Sequence, residues 1–279
     1  MKNIIIIPNN GKEGVLEITK KVVKILSDNG AFAFIDKKYG KEYEGVANLY
    51  TEVPNNPELI IVIGGDGSVI DASVLAVSLD IPVLGINLGN LGYLAEVETD
   101  SLSLLEKLFL GEYTIEEKML LCVKKEGVLE DRLAVNDIII SHESYLGIAE
   151  FALITETFEC VKYRADGMII STPAGSTAYS LSAGGPIVDH GMDAILATPI
   201  CPHSFFNRSI IFNENAVITI ENTGKSVLKI SIDGRLVNSL EIGEKCVVMQ
   251  ADKKLKMLAF NENNMFSALF AKMQKIENM

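Results

Sequence analysis

The chain has 279 residues, and at roughly 150 residues per domain this length predicts two domains. It carries 25 Lys and Arg residues against 37 Asp and Glu residues, so its formal net charge at pH 7 is −12. Such a charge argues against a protein that binds nucleic acid or a membrane surface through their phosphates. With 48% hydrophobic and 22% charged residues, the composition excludes a disordered chain and a fibrous repeat.

The cysteines point to a reducing compartment. Cys122, Cys160, Cys201 and Cys246 lie about 40 residues apart, without the close spacing of a zinc site or a disulfide scaffold. We therefore interpret all four as reduced core residues of a cytoplasmic protein.

Neither a signal peptide nor a membrane span is expected. The apolar run Ile4 to Ile7 is shorter than the apolar region of a signal peptide, and it predicts a strand. The stretch Gly167 to Val188 carries no charge, but it is rich in Ser, Thr and Gly and contains two prolines. That composition argues against a membrane helix.

The N-terminal part of the chain alternates short apolar runs with helical periodicity, which is typical of a parallel sheet with helices on its faces. The predicted strands are Ile4 to Ile7, Ala31 to Ile35, Leu59 to Ile63 and Pro82 to Ile86. Helical spacing of apolar residues predicts helices from Val15 to Leu26 and from Val69 to Leu79. We expect an α/β domain with a Rossmann-like parallel sheet over residues 1–118.

From Met119 onwards the pattern changes to strands separated by Gly, Asn and Asp. The predicted strands lie near Met119 to Lys125, Leu133 to Ser141, Ile148 to Tyr163, Met168 to Ser171, Ala216 to Glu221, Val227 to Ile232 and Cys246 to Gln250. They predict an all-β antiparallel sandwich over residues 119–259.

The C-terminal residues predict one more helix. Phe266, Leu269, Phe270 and Met273 fall on a single helical face between Met265 and Ile276. We expect residues 260–279 to return to the first domain and pack this face against it.

The loop Gly64 to Ser68 reads Gly-Gly-Asp-Gly-Ser, and it comes directly after a buried strand and directly before a helix. Glycines allow a close backbone approach to a ligand, and the helix start offers unpaired N–H groups to phosphate. Asp66 would repel phosphate unless it holds a metal ion or accepts a proton from an attacking hydroxyl. The alternative is a plain turn with Asp66 as the N-cap.

A polar segment, Pro173 to Gly185, follows Arg164, Asp166 and the strand Met168 to Thr172. Its many small hydroxyl residues suit a ribose, an amide or a phosphate better than an apolar ligand. We interpret it as the wall of a nucleotide site. The alternative is that Ser176 or Thr177 only caps a short helix.

Polar residues in three further places are candidates for the same site. Asn136 and Asp137 interrupt an apolar run, which indicates either a ligand contact or a bulge. Asn87 to Leu94 follows a strand at the carboxyl edge of the predicted sheet, where ligands of such sheets bind. Asp233 and Gly234 form a hairpin turn by pattern alone. The three histidines lack metal-ligand spacing, so no protein-built metal site is expected.

Taken together, these motifs resemble the NAD kinases, which transfer a phosphoryl group to the adenosine-ribose 2′-hydroxyl of NAD and so make NADP. The stretches that carry the resemblance are Gly64 to Ser68, Asn87 to Leu94, Leu110 to Met119, Asn136-Asp137, Arg164 to Tyr179, Gly184 to Ile187 and Pro199 to Ser204. The glycine-aspartate loop is shared with lipid kinases and phosphofructokinases, whereas its combination with Asp166-Gly167 and Ser171 to Tyr179 is similar to NAD kinases specifically.

The resemblance implies roles for particular residues. Asp66 is then the proton acceptor from the 2′-hydroxyl. We expect backbone amides near Gly65 to Ser68, together with Mg²⁺, to hold the terminal phosphates of the donor. The residues implied to bind the dinucleotide or the donor are Gly65, Gly67, Asn136, Asp137, Arg164, Asp166, Ala174, Thr177, Ala178, Tyr179, Ser182 and Asp233. NAD is expected to lie across the domain interface, with Asp233 closing the site.

The resemblance also implies a nucleoside triphosphate such as ATP, or polyphosphate, as donor, accompanied by Mg²⁺ or Mn²⁺. A cytoplasmic homodimer or homotetramer without nucleic-acid or membrane partners is expected. Three positions depart from the family pattern: Asp71 and Gly147 stand where basic residues are usual, and Ala174 replaces a threonine. Two other functions stay open, a diacylglycerol-type lipid kinase and a non-catalytic NADP sensor.

Overall fold

The computed structural model describes residues 2–89, 92–125, 132–142, 147–156, 160–203 and 205–260. They form two compact units. One contains the chain up to Glu117 and resumes at Leu255, and the other spans Lys118–Lys254. None of the helices in the described ranges has the length and apolar character needed to cross a membrane.

The first unit is an α/β structure. Its strands are β1 (Asn3–Pro8), β2 (Phe32–Asp36), β3 (Asn48–Tyr50), β4 (Pro57–Gly64), β5 (Val83–Asn87), β6 (Val97–Glu98) and β7 (Thr114–Lys118). Its helices are α1 (Val15–Asp28), α2 (Asp66–Leu79) and α3 (Lys107–Leu110), with 3-10 helices at Lys37–Tyr39, Lys41–Tyr43 and Leu102–Glu106.

The sheet of this unit is built around adjacent strands β1 and β4, which are parallel. From β1 the chain continues outward through β2 and β3, and from β4 it continues to the opposite side through β5. The strand order therefore reverses between β1 and β4. Ligands of open parallel sheets bind at such a reversal, outside the carboxyl ends of the strands.

Burial explains why the two central strands are nearly uninterrupted runs of Ile and Val. Ile4, Ile5 and Ile6 of β1 are fully buried, as are Ile60 and Ile61 of β4. Helices cover a parallel sheet on both faces, so alternating polar residues are not required. The apolar face of α1 packs in the same core as these strands, through Val22 and Leu26.

The second unit is almost entirely β-structure. Its strands are β8 (Leu121–Lys125), β9 (Arg132–Ala134), β10 (Asp137–His142), β11 (Ala149–Ile154), β12 (Val161–Ala165), β13 (Gly167–Ser171), β14 (Ala194–Ile200), β15 (Ile210–Asn213), β16 (Ile218–Asn222), β17 (Leu228–Ile232), β18 (Arg235–Leu240) and β19 (Lys245–Gln250). A 3-10 helix (Ala174–Thr177) and the short helix α4 (Tyr179–Ser182) follow β13.

These strands form two antiparallel sheets of six strands each. One has the order β15-β14-β13-β10-β17-β18, and the other has the order β12-β11-β16-β19-β8-β9. Alternate side chains from both sheets meet in one apolar core, for example Ile138 and Ile170 with Phe151 and Ile220. This interleaving of two inner faces is the packing of a β-sandwich.

The predicted fold class, a parallel α/β domain followed by an antiparallel sandwich, is confirmed. The predicted strand Leu133 to Ser141 is divided in two, because the chain turns at Val135 and Asn136. The last described strand, β20 (Leu255–Ala259), pairs parallel to β5 in the first sheet. The chain thus rejoins the first unit five residues before position 260, where we expected the return. The predicted C-terminal helix lies outside the described residues.

The prediction that all four cysteines are core residues is wrong for two of them. Cys122 and Cys246 are buried free thiols, but Cys160 and Cys201 are exposed free thiols. Burial raises the pKa of Cys246 to about 12, so this thiol stays protonated and unreactive at neutral pH.

Asn222, at the end of β16, offers a test of how the sandwich is held together. Its Nδ2 donates to the carbonyls of Ser226 and Leu240, each at 2.9 Å, and its Oδ1 accepts from Gly224 N at 3.1 Å. Asn222→Ala leaves these groups without their partner and is expected to lower the free energy of unfolding by about 2 kcal/mol in urea denaturation. Asn215→Ala, at an exposed turn, is the matched control. Equal stability of the two variants would contradict this account.

Candidate functional site

The Gly-Gly-Asp-Gly-Ser loop joins β4 to α2, beside the reversal of strand order. A Cβ at Gly64 would lie 2.4 Å from Ser68 Oγ, so only glycine fits there. Gly65 is the N-cap of α2, and Asp66 is the first helical residue. The alternative interpretation of Asp66 as the N-cap is therefore wrong. At Gly65 and Gly67 a Cβ would meet no atom within 4 Å, so the backbone there faces open space.

The Asp66 carboxylate is held by backbone amides. Its Oδ2 accepts from Tyr93 N at 2.8 Å, and its Oδ1 accepts from Leu94 N at 3.0 Å and Ala95 N at 3.3 Å. A Cβ at Gly92 would lie 2.2 Å from Oδ1, so this glycine lets the loop approach the carboxylate. Two carboxylate oxygens offer about four acceptor positions, and three are used here. One position is left for a further donor.

Other groups of this unit meet at the same edge of the sheet. Asn9, which follows β1, donates from Nδ2 to Ser68 Oγ at 2.8 Å. Leu88, which follows β5, donates its backbone N–H to Gly64 O at 2.7 Å. Lys12 Nζ lies 3.6 Å from the position that a Cβ would take at Gly89, so it brings a positive charge to this edge.

In the second unit, Asn136 and Asp137 lie where β9 gives way to β10. Asp233, in the turn between β17 and β18, accepts three consecutive backbone N–H groups with its side chain. Its Oδ2 accepts from Val135 N at 2.9 Å, and its Oδ1 accepts from Asn136 N at 2.8 Å and Asp137 N at 3.1 Å. Asp233 therefore forms the expected hairpin turn and also contacts the Asn136-Asp137 segment.

The carbonyl side of the same segment is bound by residues that follow β13. Thr172 Oγ1 donates to Val135 O at 2.7 Å, and Thr172 N donates to Asn136 O at 2.9 Å. Gly175 N in turn donates to Thr172 Oγ1 at 3.0 Å. A Cβ at Gly175 would lie only 2.1 Å from Asn136 O, so this close approach requires glycine.

Two carboxyl groups at this point have altered acidity. Asp137 is 4% exposed, and burial followed by the negative charge of Asp233 raises its pKa to about 7. Burial also raises the pKa of Asp233, although its three backbone N–H bonds act in the opposite direction. At neutral pH the Asp137 carboxyl can therefore either donate or accept a hydrogen bond.

The polar segment after β13 separates into inward and outward side chains. Ser176 Oγ bonds to Pro173 O and Val188 O, and Ser180 Oγ lies 3.0 Å from Thr198 Oγ1, so both serines are structural. The predicted contacts Thr177 and Ala178 are partly buried, and Tyr179 and Ser182 are exposed. The outward residues are the ones that a ligand can reach.

Arg164 and Asp166 are not brought together with Asn136 and Asp137 within the unit. Asp166 precedes β13, whereas Thr172 follows it, and five strand residues at about 3.3 Å each separate them. The Asp166 carbonyl accepts from His142 N, at the far end of β10. Arg164 Nε lies 3.1 Å from Glu150 Oε1 in an exposed ion pair.

The three departures from the family pattern have different surroundings. Asp71 is exposed on α2, and Ala174 is buried. Gly147 lies against His142, because a Cβ at this glycine would come within 2.3 Å of the imidazole ring. A basic side chain at position 147 would therefore have to displace His142.

The described residues do not build a metal site. They contain no group of three or more His, Cys, Asp or Glu side chains placed to hold a metal ion. Asp66 also has most of its acceptor positions filled by amides.

Sequence reasoning missed the residues that hold the candidate side chains in place. The sequence indicates Thr172 only as the end of a predicted strand, and it indicates Gly92 only as part of the stretch Asn87 to Leu94. The amides of Tyr93 to Ala95 give no signal in the sequence, because every residue except proline has such an N–H. For Asp233 the local pattern indicates only a turn, and the family resemblance indicates a ligand contact; neither indicates that it binds the amides of residues 135–137.

Comparison with protein families assigns both units. The N-terminal domain of ATP-NAD kinase matches residues 4–113, and the C-terminal domain of ATP-NAD kinase matches residues 135–260. The NAD kinase of Natranaerobius thermophilus is 36% identical, over 98% of this chain and 98% of the relative. The NAD kinase of Lachnoclostridium phytofermentans is 35% identical, over 98% and 99%.

Two solved structures share the fold of this chain. A yeast NADH kinase, solved in complex with NADH, superposes with a TM-score of 0.84 at 25% identity, covering 96% of this chain and 86% of that one. An NAD kinase from Archaeoglobus fulgidus, solved with ATP, shares the fold at 20% identity with a TM-score of 0.73, covering 98% and 99%. From these matches, made by both units over nearly the whole length, the chain belongs to the ATP-NAD kinase family.

Proposed function

We propose that this chain phosphorylates the adenosine-ribose 2′-hydroxyl of NAD to give NADP, with Asp66 as the proton acceptor. The observation that carries the proposal is the Asp66 carboxylate at the strand-order reversal, fixed by three amides and left with one acceptor position. A sugar hydroxyl that donates to this position has its oxygen oriented for attack. Family membership supports the choice of substrate, and the hydrogen bonds of Asp66 support the role proposed for this residue.

The chemistry that we assign to Asp66 is a proton transfer coupled to phosphoryl transfer. A bond forms between the 2′-oxygen and the terminal phosphorus of the donor, and the bond from that phosphorus to the leaving phosphate oxygen breaks. The hydroxyl proton passes to the Asp66 carboxylate. Phosphoryl transfer requires little covalent help from a protein, so fixed orientation of the hydroxyl is the main contribution of this residue.

We assign the dinucleotide contacts to the second unit. Asn136 and Asp137 offer an amide and a carboxyl that can bind hydroxyl and amide groups of NAD. The adenosine end of NAD is lined by the outward residues of the polar segment, which are Thr177, Ala178, Tyr179 and Ser182, together with the buried Ala174. Arg164 and Asp166 would contact a different part of the dinucleotide, since they lie at the other end of β13.

We assign the donor phosphates to the N-terminus of α2. The backbone at Gly65 and Gly67 faces open space, and a helix start favours anions. Lys12 adds a positive charge, which is relevant because Asp71 replaces the usual cation. Mg²⁺ or Mn²⁺ would accompany ATP, another nucleoside triphosphate or polyphosphate. The enzyme would act in the cytoplasm as a homodimer or homotetramer.

The direct experiment is a coupled assay for NADP formation with ATP, other nucleoside triphosphates and polyphosphate, each with Mg²⁺ or Mn²⁺. The same preparation is tested for phosphorylation of diacylglycerol. Sustained NADP formation supports the proposal. Labelled lipid without NADP would identify a lipid kinase, and calorimetric binding of NADP without turnover of any donor would identify a sensor.

Asp66→Asn is expected to lower kcat by about 10²- to 10⁴-fold, the usual loss when a general base is removed. The KM for NAD should change only a few-fold, because the remaining Oδ1 can still accept from the Leu94 and Ala95 amides. Asp80→Asn, at the exposed end of the same helix, is the control and should retain the wild-type kcat. An Asp66→Asn enzyme with unchanged kcat would remove this residue from the mechanism.

The raised pKa of Asp137 predicts a pH-dependent effect on stability. The folded protein keeps the Asp137 proton up to about pH 7, whereas the unfolded chain loses it near the ordinary aspartate pKa of 3.8. The free energy of unfolding should therefore fall as pH rises between these values. Asp137→Asn removes this loss. The free energy of unfolding of the variant, measured relative to that of the wild type, should therefore rise by up to about 4 kcal/mol as the pH increases from 4 to 8.

Urea denaturation across this pH range measures the gain. Asp252→Asn, at an exposed loop, is the control and should follow the wild type at every pH. A constant difference between Asp137→Asn and wild type from pH 4 to 8 would show that Asp137 has an ordinary acidity.

A further inference from the structure

The backbone N–H groups of Val135, Asn136 and Asp137 are all bound by one side chain from a distant part of the chain, that of Asp233. We infer that Asp233 is a positioning residue for NAD binding, which acts by holding the backbone of Asn136 and Asp137 and not by contacting the dinucleotide. The inference rests on the proposed function, in which these two residues bind NAD. It changes the role of Asp233 from a ligand contact to a support of the contacts.

The hydrogen bonds between the two segments run in both directions. The Asp233 carboxylate accepts the N–H groups of Val135, Asn136 and Asp137 at 2.8 to 3.1 Å. Asp233 N donates in return to Asp137 O at 3.0 Å. Three acceptor positions of the carboxylate are thus occupied inside the protein, as they are at Asp66, but here the bonded amides belong to the two residues assigned to NAD and to the residue before them.

The backbone of Asp233 is adapted to this task. Its φ angle is +47°, in the left-handed region, and Gly234 follows with a φ of +78°. Asp and Asn tolerate this region better than most residues with a side chain. The turn between β17 and β18 thereby directs the carboxylate at the neighbouring strand, since β17 pairs with β10.

The other side of the turn has separate support. Thr172 binds the carbonyls of Val135 and Asn136, and Gly175 packs against Asn136 O. Without the Asp233 carboxylate, the carbonyl groups remain anchored but three adjacent N–H groups lose their partner. The segment can then rotate its peptide planes toward water, which would turn the Asn136 and Asp137 side chains away from their binding orientation.

The test compares three variants of the full-length enzyme by steady-state kinetics. Asp233→Gly tolerates the positive φ and removes every acceptor, whereas Asp233→Asn keeps an Oδ1 for the Asn136 and Asp137 amides. Asp189→Asn is the matched control, because Asp189 accepts a single backbone N–H from Gly191 in an exposed turn. If Asp233→Gly does not fold, Asp233→Asn carries the test.

We expect the KM for NAD to rise roughly 10- to 100-fold in Asp233→Gly and less in Asp233→Asn, with kcat and the KM for the donor within about threefold of wild type. Asp189→Asn should match the wild type. A general folding defect would instead lower the fraction of enzyme that is active, and it would not raise the KM for NAD selectively. An unchanged KM for NAD in both Asp233 variants, or a fall in kcat alone, overturns the inference.

Asn136→Ala separates this inference from the proposal on which it rests. If Asn136→Ala leaves the KM for NAD unchanged, the assignment of this turn to dinucleotide binding fails, and the role of Asp233 fails with it. If Asn136→Ala raises the KM but the Asp233 variants do not, only the positioning role is overturned.

Discussion

One interaction recurs in both units: an aspartate carboxylate accepts three consecutive backbone N–H groups. Asp66 binds the amides of residues 93–95, and Asp233 binds those of residues 135–137. A carboxylate removed from water needs hydrogen-bond donors, and unpaired amides need acceptors. Each arrangement meets both needs, and it fixes a loop that would otherwise have several conformations.

The two arrangements have different chemical consequences. Asp66 lies at the open carboxyl edge of a parallel sheet, beside glycines that leave room for a substrate. Asp233 lies in a turn next to Asp137, in surroundings where burial raises the pKa of both carboxyl groups. Under the proposed function, the same bonding pattern would serve a reacting group in the first unit and a supporting group in the second.

The sequence predicted the architecture well because the two domains have different periodicities. Continuous Ile and Val runs, such as Leu59 to Ile63, indicate strands buried on both faces. From Met119 onwards the chain changes to short strands separated by turn residues, which indicates an antiparallel sandwich. Strand β14 was missed, since Pro199 lies inside its apolar run. The exposed positions of Cys160 and Cys201 were also missed, because spacing says nothing about burial.

The sequence by itself determined the fold class, the family resemblance and the residue types at the candidate site, since these depend on local pattern and motif order. Only the tertiary structure decided which loops meet: residues 93–95 at Asp66, Asp233 at Asn136, and Asp166 at the far end of β13. The physical reason is that these contacts use backbone amides, carbonyls and strand register, which all residues share. Side-chain identity therefore cannot reveal them until the strands are paired.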